Sequence, residues 1–312
     1  MPALIQFKNL TKQYGKKVVL NNINLEINKG EIFGIIGMSG SGKTTLLNTL
    51  IGFLEPEEGD ILYHSNNKYK SVFKNTLDAR KKFGFATQVP SFYPKLTIEE
   101  NLDHFGTLYK LPKKTRKSNI DNLLKMTGLE PEKKKLSERL SGGMEKRLGI
   151  ACSLIHNPDL LILDEPTANL DPVLREQVWR LIKNIHEMGT TVIVASHLLE
   201  ELEPVCDRIG ILHNHTLLEV GTPDELRIKH LKNEEVVLRA SGKHDQIEKA
   251  MRSTRYIESV KAEKRYLVFQ TKNPEKALYQ LLKTVERLGE RIISLEVSKA
   301  SLKQIFASIY KK

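Results

Sequence analysis

The chain of 312 residues reads as an α/β protein with a smaller α+β domain after it. Three observations predict this. Short apolar runs alternate with helical patterns over the first two thirds, as in a parallel sheet covered on both faces. Near residues 229–233 (KHLKN) the rhythm changes, and the remainder follows the order β-α-β-β-α-β. Between an early apolar run and the first helix stands a glycine-rich stretch, GMSGSGKTT at 37–45.

The elements follow in order. FKNLTKQYG, VVLNNINLEIN and EIFGIIG predict strands, and residues 43–52 a helix. Residues 98–110 and 119–127 read as helices joined by a polar basic stretch, KLPKKTRKSN. Helix 142–156 leads into strand LLILDEP, helix 172–188 into TTVIVAS, and helix 198–206 into RIGILHN. Beyond the change of rhythm, EEVVLRA predicts a strand and HDQIEKAMRS a helix. IESVKAEK and RYLVFQT predict two adjacent strands. PEKALYQLLKTVERLG is a helix opened by proline and closed by glycine, before strand RIISLEVS and a last helix SLKQIFASIY. That order is the split βαβ plan of a ferredoxin-like domain. The expected domains are 1–230 and 231–312.

Composition narrows the setting. The chain is 40% hydrophobic and 28% charged, an ordinary balance for a soluble protein. No apolar run approaches the roughly 18 residues that a membrane span needs. MPALIQFKNL lacks the basic and apolar regions of a secretory signal. The two cysteines, Cys152 and Cys206, provide neither a disulfide framework nor a metal cluster. A reducing cytosol fits, with both thiols as small buried hydrophobes. The net charge is +11 and uneven. From Lys232 onward 18 Lys and Arg face 10 Asp and Glu, a net of +8. Residues 1–231 carry 31 against 28, a net of +3. A basic tail can favour nucleic acid or an anionic membrane, or be a solvated face. No arginine-rich helix, aromatic interleaving or zinc-finger spacing sharpens the nucleic-acid reading.

The glycine-rich stretch matches G-x-x-x-x-G-K-[ST] at Gly37, Gly42, Lys43 and Thr44, with Ser39, Gly40, Ser41 and Thr45 completing the turn. A phosphate chain is anionic and wrapped in oxygens. A turn free of bulky side chains lets backbone N–H groups point at it, and the following helix adds its positive end. In this motif Lys43 reaches the β- and γ-phosphates and the Thr44 hydroxyl ligates Mg²⁺.

Further constellations follow. Leu140-Ser141-Gly142-Gly143 opens a helix and makes a second anion site, useful if it faces another copy's phosphate loop; Ser141 can also be a plain helix cap. Strand LLIL ends in Asp164 and Glu165, whose side chains point to different sides. Asp164 can serve Mg²⁺ while Glu165 faces an attacking water. His197 and Gln88 each follow a strand, where α/β sheets bind ligands. The histidine can bond the γ-phosphate or the water, and the amide can touch Mg²⁺ or water. Tyr14 can stack on an adenine ring or pack on its neighbours.

In order along residues 4–228, these residues resemble the ATP-binding cassette family of ATPases. Tyr14 matches its A-loop, 37–45 its Walker A, Gln88 its Q-loop and 140–144 its signature. Residues 160–165 match its Walker B, 168–171 (ANLD) its D-loop and His197 its H-loop. The resemblance implies a P-loop cassette with a helical subdomain at about 90–157, and a chain that binds and hydrolyses ATP with Mg²⁺. Glu165, His197 and Gln88 would be catalytic, and Thr44, Gln88 and Asp164 would serve the metal. It also implies a head-to-tail homodimer in which one copy's Walker A and the other's Ser141, Gly142 and Gly143 enclose each ATP. ANLDP stands where SGLDP is frequent, a change expected to affect coupling only slightly. Residues 63–82 are longer and more basic than the family's usual hairpin. GTPDEL and the basic tail resemble the separate ATPase subunits of multidrug, antibiotic and sodium exporters. Such a subunit would sit on the cytoplasmic face of the membrane and drive a separate permease, with no specific nucleic acid expected. The alternative is a soluble cassette ATPase acting on nucleic acid or ribosomes. A single Walker A and the absence of a long coiled-coil insertion count against it. A non-catalytic ATP-binding regulator is disfavoured by Glu165 and His197.

Overall fold

The computed structural model describes residues 2–89, 91–230, 234–263 and 266–299. It divides into two compact units, Met1–Thr222 and Pro223–Lys312. The division thus falls before helix Pro223–His230, eight residues earlier than the change of rhythm suggests.

The first unit contains two sheets. Strands β1 (Ala3–Tyr14), β2 (Lys17–Asn28), β4 (Glu58–Ser65) and β5 (Lys68–Ser71) form an antiparallel sheet in the order β2-β1-β4-β5. Strands β3 (Ile32–Ile36), β6 (Phe83–Ala86), β7 (Leu160–Asp164), β8 (Thr191–Ser196), β9 (Arg208–His213) and β10 (Thr216–Gly221) form the other, in the order β10-β9-β3-β8-β7-β6. All pairs in it are parallel except β9 with β10. The first two strands therefore stand apart from the parallel sheet. Only Gly15 and Lys16 separate them, a connection that closes a hairpin and cannot make a crossover. By contrast β3, β7 and β8 are buried along their whole length, as strands covered on both faces must be.

Helix α1 (Lys43–Leu50) lies inside this arrangement. Its Leu46, Leu47 and Leu50 share one core with Leu10, Ile23 and Ile61 of the antiparallel sheet and Phe33, Ile35, Ile162 and Ile193 of the parallel one. The basic stretch 63–82 contains a tight hairpin. Asn66 and Asn67 hold φ of 52° and 59° between β4 and β5, the left-handed pair of a type I′ turn. Helix α2 (Thr76–Arg80) follows, and its Asp78 accepts hydrogen bonds from the Tyr63 hydroxyl at 2.7 Å and Lys70 Nζ at 2.9 Å.

Helices α3 (Ile98–Leu108), α4 (Lys113–Thr127) and α5 (Gly142–Leu154) pack on one another. A capping box opens α3, with Thr97 and Glu100 bonding each other's backbone N–H. Most of the expected linker KLPKKTRKSN is helical. Pro112 stands at the cap position of α4, and the Lys and Arg after it are good helix formers that carry the helix up to the stripe of Ile120, Leu123 and Leu124. Helix α6 (Pro172–Glu187) is capped by Asp171, whose carboxylate accepts from the Val173 and Leu174 N–H groups at 3.0 Å. The helix expected over 198–206 is one short turn, α7 (Leu199–Leu202).

The second unit holds α8 (Pro223–His230), β11 (Glu234–Ala240), α9 (His244–Arg252), β12 (Ser259–Glu263), β13 (Tyr266–Thr271), α10 (Pro274–Arg287) and β14 (Ile292–Lys299). Its antiparallel sheet runs β12-β13-β11-β14, the order of the split βαβ plan. Ile247 and Met251 of α9 share a core with Leu281 and Val285 of α10 and with Leu238 and Phe269 of the sheet. The expected last helix, SLKQIFASIY, lies outside the described residues.

One polar side chain organises the entry to the helices. Asn101 is fully buried in α3. Its amide donates to the Tyr93 and Thr97 carbonyls at 3.0 Å and to Ser137 Oγ at 2.8 Å, and its oxygen accepts from the Tyr93 N–H at 2.8 Å. Asn101→Ala removes these bonds and leaves the buried Ser137 hydroxyl and the Tyr93 N–H without their partner. The expected loss of stability in urea unfolding is about 2–4 kcal/mol. A change below about 0.5 kcal/mol would show that water replaces the amide at no cost.

Candidate active site

The parallel register decides which residues meet. Ile36 pairs with Ser196, Ala195 with Asp164, and Leu163 with Ala86. The C-terminal ends of β3, β8, β7 and β6 are therefore neighbours. The residues that follow them are the glycine-rich turn, His197, Glu165 and Gln88. They line one cleft of about 340 Å³, together with Val19.

The turn enters α1 through two glycines that no other residue can replace without movement. A Cβ on Gly37 would lie 2.3 Å from Ser41 Oγ and 2.7 Å from the Leu212 carbonyl oxygen. Gly42, the residue before α1, has φ of 108° and approaches the Val19 carbonyl, which a Cβ would meet at 2.9 Å. The free N–H groups at the start of α1 consequently face the cleft. Lys43 is buried there. Its ammonium donates to the Gly37 carbonyl at 2.9 Å and the Met38 carbonyl at 3.3 Å, and lies 3.5 Å from Glu165 Oε1.

Two adjacent carboxylates leave β7 in different directions. Asp164 Oδ2 accepts from the Thr44 hydroxyl at 2.8 Å. The chain then turns, and Glu165 takes a left-handed φ of 48° while its N–H donates to the Ala195 carbonyl. This unusual backbone aims Glu165 across the cleft, between Lys43 and His197. His197 Nδ1 lies 2.8 Å from Glu165 Oε2. The His197 side chain is half exposed and the Glu165 side chain nearly buried.

The site has unmet polar capacity suited to an anion with a divalent cation. Ser41 Oγ and Asp164 Oδ1 are buried and have no hydrogen-bond partner. Burial raises the Asp164 pKa above the ordinary carboxylate value, and the neighbouring Glu165 charge adds to this. The Thr44 hydroxyl, Lys43 and Lys146 oppose it. A cation beside Asp164 would favour its ionised form. No group of three or more His, Cys, Asp or Glu side chains that could hold a metal occurs among the described residues. A cation here would take its remaining ligands from phosphate oxygens and water, as Mg²⁺ does.

The structure leaves some expected residues outside the cleft. Tyr14 ends β1 with half of its surface exposed, and Lys12 Nζ lies 5.6 Å from its ring centre. It does not line the cleft of the phosphate turn. Ser141, Gly142 and Gly143 open α5 elsewhere on the first unit. Ser141 is at the cap position, yet its side chain makes no capping bond. Gly143 packs against α6, where a Cβ would lie 2.9 Å from Leu174 Cδ2, and Gly142 sits beside Leu170. The signature turn and the ANLD loop are thus neighbours on one surface.

Two residues that sequence reasoning missed support these parts. Glu201, on the turn after His197, accepts from Arg175 at 3.0 Å, from Trp179 Nε1 at 3.2 Å and from the Thr167 hydroxyl, while Arg175 Nε also donates to the Leu170 carbonyl at 2.9 Å. It anchors the loop after Glu165. Lys146, in the second turn of α5, donates to the Gln88 backbone carbonyl. Burial lowers its pKa below the ordinary lysine value, while Glu145, Asp164 and Glu165 favour its charge. In sequence Lys146 stands in the charged trio Glu145-Lys146-Arg147 before the apolar run LGIACSL, and nothing local distinguishes it.

Comparison with known proteins agrees with this geometry. Residues 20–168 match the family described as ABC transporter. The chain is similar to the linearmycin resistance ATP-binding protein of Bacillus subtilis (strain 168), with 32% identity over 308 residues, covering 98% of each chain. It is also similar to the bacitracin transport ATP-binding protein of Bacillus licheniformis, with 39% identity over 233 residues, covering 74% of this chain and 72% of that one. Among solved structures it resembles a dimeric ATP-binding cassette in a post-hydrolysis state bound to ADP and Pi, with 31% identity and a TM-score of 0.61, covering 70% of this chain and 98% of that one. With its phosphate turn, paired carboxylates and signature turn in this arrangement, the chain belongs to the ABC transporter family, as an ATP-binding and ATP-hydrolysing subunit.

Proposed function

We propose that this ATPase is the motor of an exporter. It would work from the cytoplasmic face of the membrane on a separate integral permease, as a homodimer with Mg-ATP. The convergence of Lys43, Thr44, Glu165 and His197 on one cleft, with Asp164 bonded to Thr44, carries this reading. No helix among the described residues is long and apolar enough to cross a membrane, so the path for substrate would come from another polypeptide. Similarity over nearly the whole chain to a linearmycin resistance protein supports export and extends into the second unit.

In the proposed mechanism the turn 37–45 binds the phosphates through its backbone N–H groups, and Tyr14 offers its exposed ring to the adenine. Lys43 exchanges its contacts with the Gly37 and Met38 carbonyls for the β- and γ-phosphates. Thr44, Asp164 and Gln88 would hold Mg²⁺, which would supply positive charge to offset that of the phosphates. Glu165 orients the attacking water and accepts its proton as the water oxygen bonds to the γ-phosphorus and the bond to ADP breaks. His197 steadies Glu165 and reaches the γ-phosphate. Ser141, Gly142 and Gly143 of a second copy close the site, consistent with a Ser141 hydroxyl that caps nothing on its own helix. The alternative of a soluble ATPase acting on nucleic acid or ribosomes draws only on the basic tail, which suits an anionic membrane surface equally.

The deciding experiment uses Glu165→Gln. This variant should bind ATP, hydrolyse it at least about a hundredfold more slowly, and run as a dimer on sizing in Mg-ATP. A monomer under those conditions counts against the sandwich. Solubilised from its source membranes with Mg-ATP, it should bring down a polytopic membrane protein in near-equal amount. Recovery of ribosomes or nucleic acid instead would reject the transporter role.

Lys43→Ala should lower ATP affinity at least about tenfold in equilibrium titration, and retained affinity would reject the phosphate assignment. Ser141→Ala should leave ATP binding by the monomer within about twofold but reduce turnover about tenfold or more. Equal losses in both would show that Ser141 does not act across the dimer.

A further inference from the structure

Gln88 lies beyond the end of a strand. The ladder of β6 stops at Ala86, so the loop after it has left the sheet. Within the loop, the Thr87 hydroxyl donates to the Val89 carbonyl at 2.5 Å and lies 2.9 Å from Ser91 Oγ. These bonds shape the loop but do not fix its place over the cleft. Lys146 supplies a tie from a helix, through its bond to the Gln88 carbonyl. A bond from an ammonium is stronger than one between neutral groups, and here the donor is half buried.

The origin of that tie matters. Lys146 stands four residues after Gly142, one turn along α5, and therefore on the side of the helix that carries the signature turn. Its side chain lines a cavity of about 200 Å³, with Ala86, Thr87 and Pro166 also on the wall. Pro166 follows Glu165, so this cavity touches both the strand end that leads to Gln88 and the one that carries the carboxylates.

We infer that Lys146 is a positioning residue for ATP hydrolysis, holding the Gln88 loop to the helix that begins at the signature turn. The inference rests on the role proposed above for Gln88. One rigid helical turn separates the two ends of the device. In the ATP sandwich, Ser141–Gly143 would face the partner's nucleotide, while Gln88 faces the chain's own. A displacement of α5 on engaging the partner's ATP is transmitted by Lys146 to the Gln88 peptide. The lysine thereby links the state of one site to the geometry of the other.

The test uses the full chain and compares Lys146→Met, which keeps the stem and loses the donor, with Lys146→Arg, which keeps a cationic donor. Lys146→Leu, which also lacks a donor, replaces the methionine variant if the latter lowers the thermal midpoint. Steady-state ATPase measurements should show kcat reduced about tenfold or more in Lys146→Met, with KM for ATP within about twofold. The Mg²⁺ concentration for half-maximal rate should rise, and Lys146→Arg should recover most of the rate. The double variant with Gln88→Ala should be no slower than Gln88→Ala alone. An unchanged kcat in Lys146→Met beside a slow Gln88→Ala overturns the inference while the Gln88 role stands. Losses that multiply in the double variant also overturn it. A Gln88→Ala variant with wild-type rate and Mg²⁺ requirement rejects the Gln88 assignment itself, and the inference with it.

Discussion

The burial of helix α1 between two sheets is the constraint on which the site depends. Leu46, Leu47 and Leu50 are fully removed from water, in one core with strands from both layers. Each such side chain contributes about 1.5–3 kcal/mol through burial alone. The helix cannot slide or tilt without opening that core, and close-packed interiors resist such openings. Its N-terminus is thus held where the chain leaves β3, and the phosphate turn has a fixed floor. The glycines at 37 and 42 follow from this closeness, because the backbone of Val19 and Leu212 comes too near for any Cβ.

From that fixed point the parallel register does the rest. Strands β3, β8, β7 and β6 end side by side, so four segments far apart in sequence deliver their next residues to one edge. The positive φ at Glu165 then separates the two carboxylates. Asp164 turns to Thr44, and Glu165 turns to Lys43 and His197. One cleft therefore contains the glycine-rich turn and the Glu165–His197 pair, and its Thr44 holds Asp164, whose other oxygen has no partner. The signature turn stands elsewhere, next to the loop after Glu165. Glu201 and Lys146 are the internal braces of this half-site: one anchors the loop after Glu165, the other the loop after β6.

Much of this was legible along the chain. The strand–turn–helix around Lys43, the LSGG turn and the Asp164–Glu165 pair each carry a local pattern with its own physical reason. The β-α-β-β-α-β order of the second unit was legible too, because its helices and strands each fit between clear turn signals. Less legible were elements whose signal is weak or shared. KKTRKSN has no apolar residue to mark its period, so its helix appears only through the stripe that begins at Ile120. FKNLTKQYG and VVLNNINLEIN read as strands, but nothing in their pattern excludes the parallel sheet until the two-residue connection between them is weighed. Asn101 resembles any surface asparagine in sequence. Its burial depends on the 93–97 segment folding back over α3 and meeting Ser137.

The sequence by itself determined the chemical groups at hand: a glycine-rich turn with a lysine and threonines, an acidic pair, a histidine, and the order in which they come. Those properties reside in side-chain types and in spacings within a turn or two of helix, which local physics fixes. Only the tertiary structure decided which of these residues share a cleft, that Glu165 aims at Lys43 and His197, and that Lys146 reaches Gln88. Contacts between Thr44 and Asp164, or between Gln88 and Lys146, span 120 and 58 residues of chain. No local pattern specifies them. They arise when strand register and core packing bring distant segments to the same edge of one sheet.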